Sequence, residues 1–500
     1  MEEAIYLLKK QNNLLVEQNE KLTSKVSSLQ FRVDELLRLV HGTKSERFRP
    51  SSPDLFSTAN IPFMEEELAL KQNVKIEIEK VKEHTRTKVK RENAPSREVI
   101  PDHFRREEKI IEPTLVPHDA VKIGEEISET LEYKPGELFV KKLVRPKYAL
   151  ADKTGVVIAD LPLQPIARCK AGVSLLMRIL IDKYVDHLPL HRQIERYARM
   201  GMKLSQSTMC DWVSATATLL ELLYDKLTSE VLSSGYIGAD ETPIKVLDPR
   251  IRGKTHTGYF WVYLSHEKNL VIFDYDPTRK KGVPGEKLKD FAGYLQSDGY
   301  AGYNQFSHQP HIVRLACMAH ARRKFEKALD NDGPRAEHAM KLFQRLYRVE
   351  QLAKAFNFDK SKIEQIRKRI SWPVLMEFEK WMSEQVPSLT PKSPIAEAIG
   401  YTQTLWKELL TYTIDGRLQI DNNLVENKIR PVAIGKKNYL FMGSHESGQR
   451  TAMLYSFFQS CSLNNINPEE WLSDVLSRIA DMKVTQIASL LPNNWKPLPR

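Results

Sequence analysis

The sequence predicts an α/β protein of several domains, in which a block of β-strands lies between helical segments. Runs of aromatic and β-branched residues separated by turn signals fill 235–304, a pattern typical of antiparallel strands. The segments 171–225 and 330–415 instead have the composition and periodicity of helices. A chain of 500 residues is too long for one ordinary core, so we expect about two to four domains.

The composition narrows the class of protein. Lys and Arg number 75 against 64 Asp and Glu, and the net charge of +11 favours polyanionic partners such as nucleic acid without establishing one. The four cysteines lie far apart, so neither a disulfide framework nor a Cys-rich zinc site is expected. The sequence contains neither a signal peptide nor an apolar run long enough for a membrane span. We therefore expect a soluble cytoplasmic protein with no membrane partner.

A strict seven-residue repeat runs through residues 5–40, within the first predicted domain, residues 1–45. Leucine at one core position with Ile, Val or Asn at the other favours a parallel two-stranded coiled coil, in which buried Asn fixes the register. We predict a zipper that forms a homodimer or a higher oligomer; one amphipathic helix packed on the body is the alternative. Its leucines are Leu8, Leu15, Leu22, Leu29 and Leu36.

Three predicted regions separate the zipper from the strand block. Residues 46–110 are polar and basic, typical of a linker that is solvated or touches DNA phosphates. Alternating runs in 111–167 predict a small β-rich module. In 168–230, Gly201 ends one predicted helix and Ser205 or Ser207 caps the next. This pattern is typical of a helix-turn-helix, although most short helical pairs bind no DNA.

Two aspartates stand out in the predicted core, whose first part is 231–329. The runs GYIGADETPIKVL and YLQSDGYAGYN each deliver one of them, Asp240 and Asp298, into a turn marked by small residues. Carboxylates on neighbouring strand ends indicate a site for a divalent cation such as Mg²⁺, which prefers oxygen ligands. Two solvated turn aspartates are the alternative.

A buried strand leading into a basic helix is predicted at 311–329. Cys317 and His320 lie at the junction, three residues apart. Two ligands do not make a structural zinc site, so we interpret the pair as local packing or as polar support for the acidic site. A core or capping histidine is the alternative. Arg322 and Arg323 on this helix are candidate DNA contacts.

The third acidic candidate follows a predicted helical insertion at 330–418. Asp421 or Asn422 caps a helix on which Glu426 and Arg430 lie one turn apart and share a face. A simple surface ion pair is the alternative.

The segment GKKNY, which contains Lys436 and Lys437, is interpreted as a phosphate-contacting loop or a solvated turn. The predicted core helices span 419–485, and 486–500 forms a C-terminal tail.

Together, Asp240, Asp298 and Glu426 would supply three carboxylates for two metal ions. Such a pair activates the attacking oxygen and stabilises the leaving oxygen in phosphoryl transfer. Three strands, a helix and a strand ahead of a helical glutamate is the element order of a ribonuclease-H-like fold.

The order and wording of several long motifs resemble the IS66-family transposases, DDE-type enzymes of bacterial insertion sequences, over nearly the whole chain. The resemblance implies that Asp240, Asp298 and Glu426 form the catalytic and metal-binding triad, with two Mg²⁺ ions for which Mn²⁺ substitutes. It also implies that Cys317 and His320 match a C-x-x-H feature of such enzymes. The motifs are ADETPIKVLDP, GYFWVY, YLQSDGYAGYN, CMAHARRKF and DNNLVENKIRPVAIGKKNYLF.

The family implies cleavage of transposon ends and joining of the 3′-OH to target DNA, a nucleoid-associated location, and small helper proteins as candidate partners. This chain departs from the family in the module at 111–167, where two cysteine pairs are usual and none is present. We therefore predict no zinc. A metal-dependent nuclease without strand transfer and a non-catalytic DNA-binding remnant are the alternative functions.

Overall fold

The computed structural model describes residues 136–140, 147–149, 156–158, 164–166, 169–248 and 254–497. The predicted zipper leucines and the basic linker lie outside these residues. In the region predicted as a β-rich module, strands β1 (Lys147–Ala149) and β2 (Val156–Ile158) pair antiparallel. This strand pair belongs to one compact unit of the chain, and the described residues from 164 onward belong to another.

Four helices open the larger body, and the turn between the second and third has the predicted chemistry. Gly201 has a φ of +88°, a left-handed conformation that favours glycine. The Ser205 hydroxyl accepts a 3.1 Å hydrogen bond from the Thr208 N–H and caps the next helix. Both local predictions are confirmed, whereas DNA binding by this region stays a prediction. The helices are α1 (Val173–Tyr184), α2 (Leu190–Arg199), α3 (Gln206–Leu219) and α4 (Glu221–Leu232).

A five-stranded mixed sheet forms the centre, in the order β5–β4–β3–β6–β7. β3, β4 and β5 pair antiparallel, as predicted, and β6 and β7 run parallel to β3. The short helix α5 (Gly282–Lys287) connects the two parts. The strands are β3 (Tyr236–Leu247), β4 (Thr255–Ser265), β5 (Leu270–Asp276), β6 (Gly293–Ser297) and β7 (Ile312–Ala316).

The edge strand β5 is covered by helix α13 (His445–Leu463) rather than left open. The Ser460 hydroxyl accepts a 3.0 Å hydrogen bond from the Val271 N–H, and the Ser456 hydroxyl accepts a 2.7 Å bond from the Phe273 N–H. Both serines are buried. Side chains of a helix thus pair the backbone groups that another strand would otherwise pair.

The strand β7 leads into a basic helix, as predicted, and an all-helical segment then separates the sheet from the helix that carries Glu426. These helices pack a second hydrophobic core against the β7 side of the sheet, around Phe325, Phe343 and Phe378. The helices are α6 (Met318–Lys327), α7 (Gly333–Ala355), α8 (Lys360–Ile366), α9 (Trp372–Gln385), α10 (Pro394–Thr404) and α11 (Trp406–Leu410).

Three helices complete the body: α12 (Asn423–Tyr439), α13 and α14 (Pro468–Arg478). The prediction of a loop or turn at GKKNY is wrong, because this segment forms the last part of helix α12, which continues to Tyr439. Residues beyond 485 contribute Leu490 and Leu491 to the core. No helix in the described part of the chain is long and apolar enough to cross a membrane.

Candidate active site

The two predicted aspartates lie on or beside neighbouring parallel strands: Asp240 is within β3, and Asp298 directly follows β6. β3 and β6 pair in a register that ends with Gly238 opposite Gln296. Asp240 and Asp298 each follow this last pair by two residues, and adjacent strands lie only about 4.8 Å apart. Besides burial, the Asp298 charge is close enough to raise the pKa of Asp240. The sheet therefore brings together two carboxylates that are 58 positions apart in sequence, from 240 to 298.

The local setting of the two aspartates differs. Asp298 directly follows β6, and its carboxylate accepts a 3.0 Å hydrogen bond from the Tyr300 N–H. A bond from an aspartate to the N–H two residues later is typical of a turn, so the predicted turn at Asp298 is confirmed. The predicted turn at Asp240 is wrong. β3 runs on to Leu247 because it stays paired with β4, and Pro243 is tolerated there because β6 pairs only with the first part of β3.

The aspartates and their neighbour Glu241 form a crowded group of acids. The pKa of Asp240 is raised to about 8, first by burial and then by the negative charges of Asp298 and Glu241. The Glu241 side chain is itself 3% exposed. Removing water and adding like charges both disfavour the ionised form of Asp240, and a bound cation would favour it.

Helix α12 reaches the sheet through Asn422. The Asn422 side-chain N–H donates a 2.9 Å hydrogen bond to the carbonyl oxygen of Ala239, and its backbone N–H donates a 3.2 Å bond to Cys317 Sγ. Asn422 occupies the predicted N-cap position, but its side chain bonds to β3 and does not cap the helix. Glu426 lies one turn farther along α12 and is thereby directed to the same region as Asp240.

Close approach of α12 to β3 requires a glycine at position 238. A Cβ at Gly238 would lie 2.7 Å from Val425 Cγ2 and 2.9 Å from Asn422 Oδ1. Real Cβ atoms do not make such contacts with a packed helix. Gly238, the second glycine of the motif GYIGADET, therefore sets the distance between strand β3 and helix α12.

These elements enclose a cleft with a volume of about 360 Å³. Strand β3, helix α6 and helix α12 each contribute to its walls. Acidic and basic side chains line it together, a mixture that suits a cation and a phosphate group. The lining residues are Asp240, Glu241, Thr242, His320, Arg323, Glu426, Ile429, Arg430 and Ala433.

Glu426 lies between two nitrogen groups of α6. Its Oε1 is 3.7 Å from His320 Nδ1, and its Oε2 is 3.7 Å from an Arg323 guanidinium nitrogen. Among the described residues, the one group of three possible metal ligands with donor atoms within 4.8 Å of one another is Cys317, His320 and Glu426. The three predicted acids are thus not drawn together to that distance.

The predicted DNA-contacting cations have different exposures. Arg323 and Arg430 line the cleft, and Lys437 is exposed. Lys436 is partly buried and donates a 3.2 Å hydrogen bond to the carbonyl oxygen of Pro243. Arg322 is only 5% exposed, with one guanidinium nitrogen 3.4 Å from Glu326 Oε2, so its position does not fit the predicted DNA contact. Arg322 differs from Arg323 because it lies on the buried face of α6.

Sequence reasoning missed an ion pair at the rim of the site. Arg279 Nε donates a 2.9 Å hydrogen bond to Glu241 Oε1, and its guanidinium stacks 4.2 Å above the Tyr300 ring. Tyr300 in turn donates its hydroxyl to the Arg279 carbonyl. Arg279 therefore connects the strand of Asp240 with the turn of Asp298. The available signals were the acid adjacent to Asp240 and the basic run from Arg279 to Lys281.

Comparison with models of protein families shows the family to which this chain belongs. The family model described as Transposase IS66 family matches residues 168–450, and the one described as IS66 C-terminal element matches 456–493. The chain belongs to the IS66 family of transposases. The family implies a transposase of an insertion element, and the predicted resemblance is confirmed. All three acids of this IS66 transposase lie within the first matched range.

Curated relatives of this transposase extend over nearly the whole chain. Uncharacterized protein y4qI of Sinorhizobium fredii is 33% identical over 500 residues, which cover 96% of this chain and 90% of the relative. Uncharacterized protein y4jD of the same organism is 30% identical, with 95% of this chain and 96% of the relative covered. Uncharacterized protein y4hP, also of that organism, is 29% identical, with 94% and 89% covered.

Proposed function

We propose that this transposase cleaves DNA at the ends of an insertion element and joins the freed 3′-OH to target DNA. Asp240, Asp298 and Glu426 would be the catalytic acids. The observation that carries the proposal is the Asn422–Ala239 hydrogen bond, which docks a helical glutamate beside a strand aspartate whose neighbour across the sheet is a second aspartate.

The sheet supports a ribonuclease-H-like assignment of the core. Three antiparallel strands, followed by two strands parallel to the first, place β3 at the centre of the order β5–β4–β3–β6–β7. The acids at β3, at the end of β6 and on the later helix α12 follow the element order expected for this fold. The helical segment between β7 and α12 would be the insertion.

The oxygen donors of Asp240, Asp298 and Glu426 suit Mg²⁺, with Mn²⁺ as a substitute. The raised pKa of Asp240 fits a cation site, because the burial and charge repulsion that raise it are compensated by positive charge. When bound, two such ions would supply Lewis-acid stabilisation of the charge that develops in phosphoryl transfer.

The protein would contribute mainly by positioning. In end cleavage, a water oxygen forms a bond to the scissile phosphorus, the P–O3′ bond breaks, and the 3′ oxygen takes up a proton. In joining, the 3′ oxygen forms a bond to a target phosphorus and a target 3′ oxygen leaves. Arg323 and Arg430 would hold phosphate oxygens in the cleft, and Lys437 would contact the backbone outside it. His320 and Cys317 would support Glu426.

Two ends must be held together for joining, so a dimer formed by the zipper from Leu8 to Leu36 fits the proposed function. The helices around Gly201 and Ser205 would contact the terminal repeats. Small proteins of the same element are candidate partners of this complex.

The test uses a supercoiled plasmid carrying the gene's own flanking DNA, incubated with the full-length protein and Mg²⁺ or Mn²⁺. We expect nicks at the element ends with the wild type and with Asp290→Ala, which changes an exposed acid near the same sheet. Asp240→Ala, Asp298→Ala and Glu426→Ala should give no cleavage while still binding end DNA.

Joined products separate transposition from plain nuclease activity. Cleavage without strand transfer would favour a nuclease on the same fold. Bound ends without metal-dependent cleavage would favour a binding-only remnant. Full cleavage by Glu426→Ala would refute the role of that residue.

A further inference from the structure

A thiol, an imidazole and a carboxylate converge at one wall of the cleft. Cys317 immediately precedes α6, His320 lies in the first turn of α6, and Glu426 arrives from α12. Their donor atoms lie within 4.8 Å of one another. A sulfur, a nitrogen and an oxygen ligand together suit Zn²⁺ and similar ions, whereas Mg²⁺ takes oxygen ligands.

The distance between two of these donors matches that of a tetrahedral metal site, and the third lies within 4.8 Å of both. His320 Nδ1 and Glu426 Oε1 are 3.7 Å apart. With the usual bond lengths to zinc, ligand atoms of one tetrahedral site lie roughly 3.3–3.8 Å apart. His320 and Glu426 both line the cleft, and Cys317 is buried beneath it. A fourth coordination position would thus face the cleft, open to water or to a phosphate oxygen.

The backbone around the three donors is held in place. The Asn422 N–H donates to Cys317 Sγ over 3.2 Å, and the Met318 N–H donates to the Ile420 carbonyl over 3.1 Å. These bonds connect the start of α6 to the segment that begins α12.

We propose that Cys317, His320 and Glu426 form a site for a thiophilic divalent cation of the Zn²⁺ class, and that its occupation withdraws Glu426 from the catalytic acids. On binding, a metal–sulfur bond forms and the thiol proton passes to solvent. Glu426 Oε1, which faces His320, serves the thiophilic ion. The inhibitory part of the proposal rests on the proposed function, because inhibition requires that Glu426 is one of the catalytic acids.

Binding is tested on the metal-free full-length protein by titration with Co²⁺, a spectroscopic substitute for Zn²⁺. We expect tetrahedral d–d bands and a thiolate-to-cobalt charge-transfer band, both displaced by Zn²⁺. Cys317→Ser should abolish the charge-transfer band. His320→Ala should weaken binding at least about tenfold, the lower end of what loss of a supporting contact costs. Cys210→Ser, at an exposed cysteine, is the matched control and should leave the spectrum unchanged.

The same variants test inhibition. Zn²⁺ at fixed Mg²⁺ should reduce end cleavage by the wild type, and added Mg²⁺ should restore it. The inhibitory Zn²⁺ concentration, relative to each protein's own uninhibited rate, should rise at least about tenfold in Cys317→Ser.

The outcomes distinguish the two proposals. A charge-transfer band unchanged by Cys317→Ser would overturn the metal site, even with end cleavage intact. A band lost in Cys317→Ser, in a protein that never cleaves DNA, would support the site and remove the proposed function. Equal inhibition of wild type and Cys317→Ser by Zn²⁺ would overturn the inhibitory role.

Discussion

Asn422 and Ala239 are joined by a 2.9 Å hydrogen bond from a side-chain amide to a backbone carbonyl, one residue before Asp240 and one helical turn before Glu426. Asn422 is completely buried, and its backbone N–H is bonded to Cys317 Sγ. One side chain therefore fixes the relative position of the strand acid, the helix acid and the start of α6.

Asn422→Ala should reduce end cleavage strongly and lower the free energy of unfolding by about 1–3 kcal/mol, because a buried polar group loses its partner. Urea denaturation and end cleavage measure the two effects. Asn438→Ala, near the other end of the same helix and in contact with Arg192, is the control and should be nearly neutral. Normal cleavage by Asn422→Ala would show that α12 is positioned by other contacts.

Gly238→Ala should destabilise the protein by about 1–3 kcal/mol through overpacking and move Glu426 away from Asp240. Thermal unfolding and Mg²⁺-dependent cleavage are the readouts. Gly400→Ala is the matched control, since a Cβ there meets nothing within 4 Å. Because Gly400 lies inside α10, its replacement should stabilise the protein by about 0.5–1 kcal/mol. Equal stability of the two variants would contradict the close-contact interpretation.

The raised pKa of Asp240 makes stability depend on pH in metal-free buffer. The pKa is 3.8 for the ordinary group and about 8 in the folded protein, so between these values only the folded state holds the proton. Stability should therefore fall as pH rises through this window, by at most about 1.4 kcal/mol per pH unit. Urea denaturation in EDTA near the two ends of the window measures the slope.

The control for this pH dependence is a neutral isostere. Asp240→Asn should unfold at higher urea than the wild type near the upper end of the window and show a flatter slope. Asp290→Asn, at an exposed position, should keep the wild-type slope. Added Mg²⁺ should stabilise the wild type most at high pH. A wild-type stability that rises across the window would contradict the raised pKa.

Local signals in the sequence sufficed for some elements of the site and not for others. The turn after Asp298 and the cap at Ser205 follow from a few neighbouring residues and were predicted. The continuation of β3 past Asp240 to Leu247 was not, because it depends on pairing with β4, which the sequence around Asp240 does not reveal. The Glu241–Arg279 pair spans 38 residues, and only the fold brings its members together.

Ser456 and Ser460 should contribute measurably to stability although they are remote from the cleft. Each buried hydroxyl accepts from an edge-strand N–H, so the variant Ser456→Ala/Ser460→Ala leaves two backbone N–H groups of β5 unpaired and also removes the bond that Ser460 donates to the Val271 carbonyl. We expect a loss of about 1–3 kcal/mol for each, measured by urea denaturation. Ser462→Ala, at an exposed position of the same helix that accepts a hydrogen bond from the half-buried Lys428, should change stability little. Amide exchange at Val271 and Phe273 should rise only in the double variant.

Arg279→Gln should shift the acidic limb of the pH–cleavage profile to higher pH. Burial and the charges of Asp298 and Glu241 raise the pKa of Asp240, and the positive charge of Arg279 lowers it. Without the Arg279 charge, Asp240 is protonated up to a higher pH, and the protonated carboxyl binds cations poorly. Lys280→Gln removes an equal charge from the adjacent exposed position and should shift the profile less. Arg279→Lys keeps the charge but loses the planar stacking on Tyr300, so it should restore the pH limb and leave the cleavage rate below wild type. Equal profiles for Arg279→Gln and Lys280→Gln would mean that the ion pair with Glu241 does not act on Asp240.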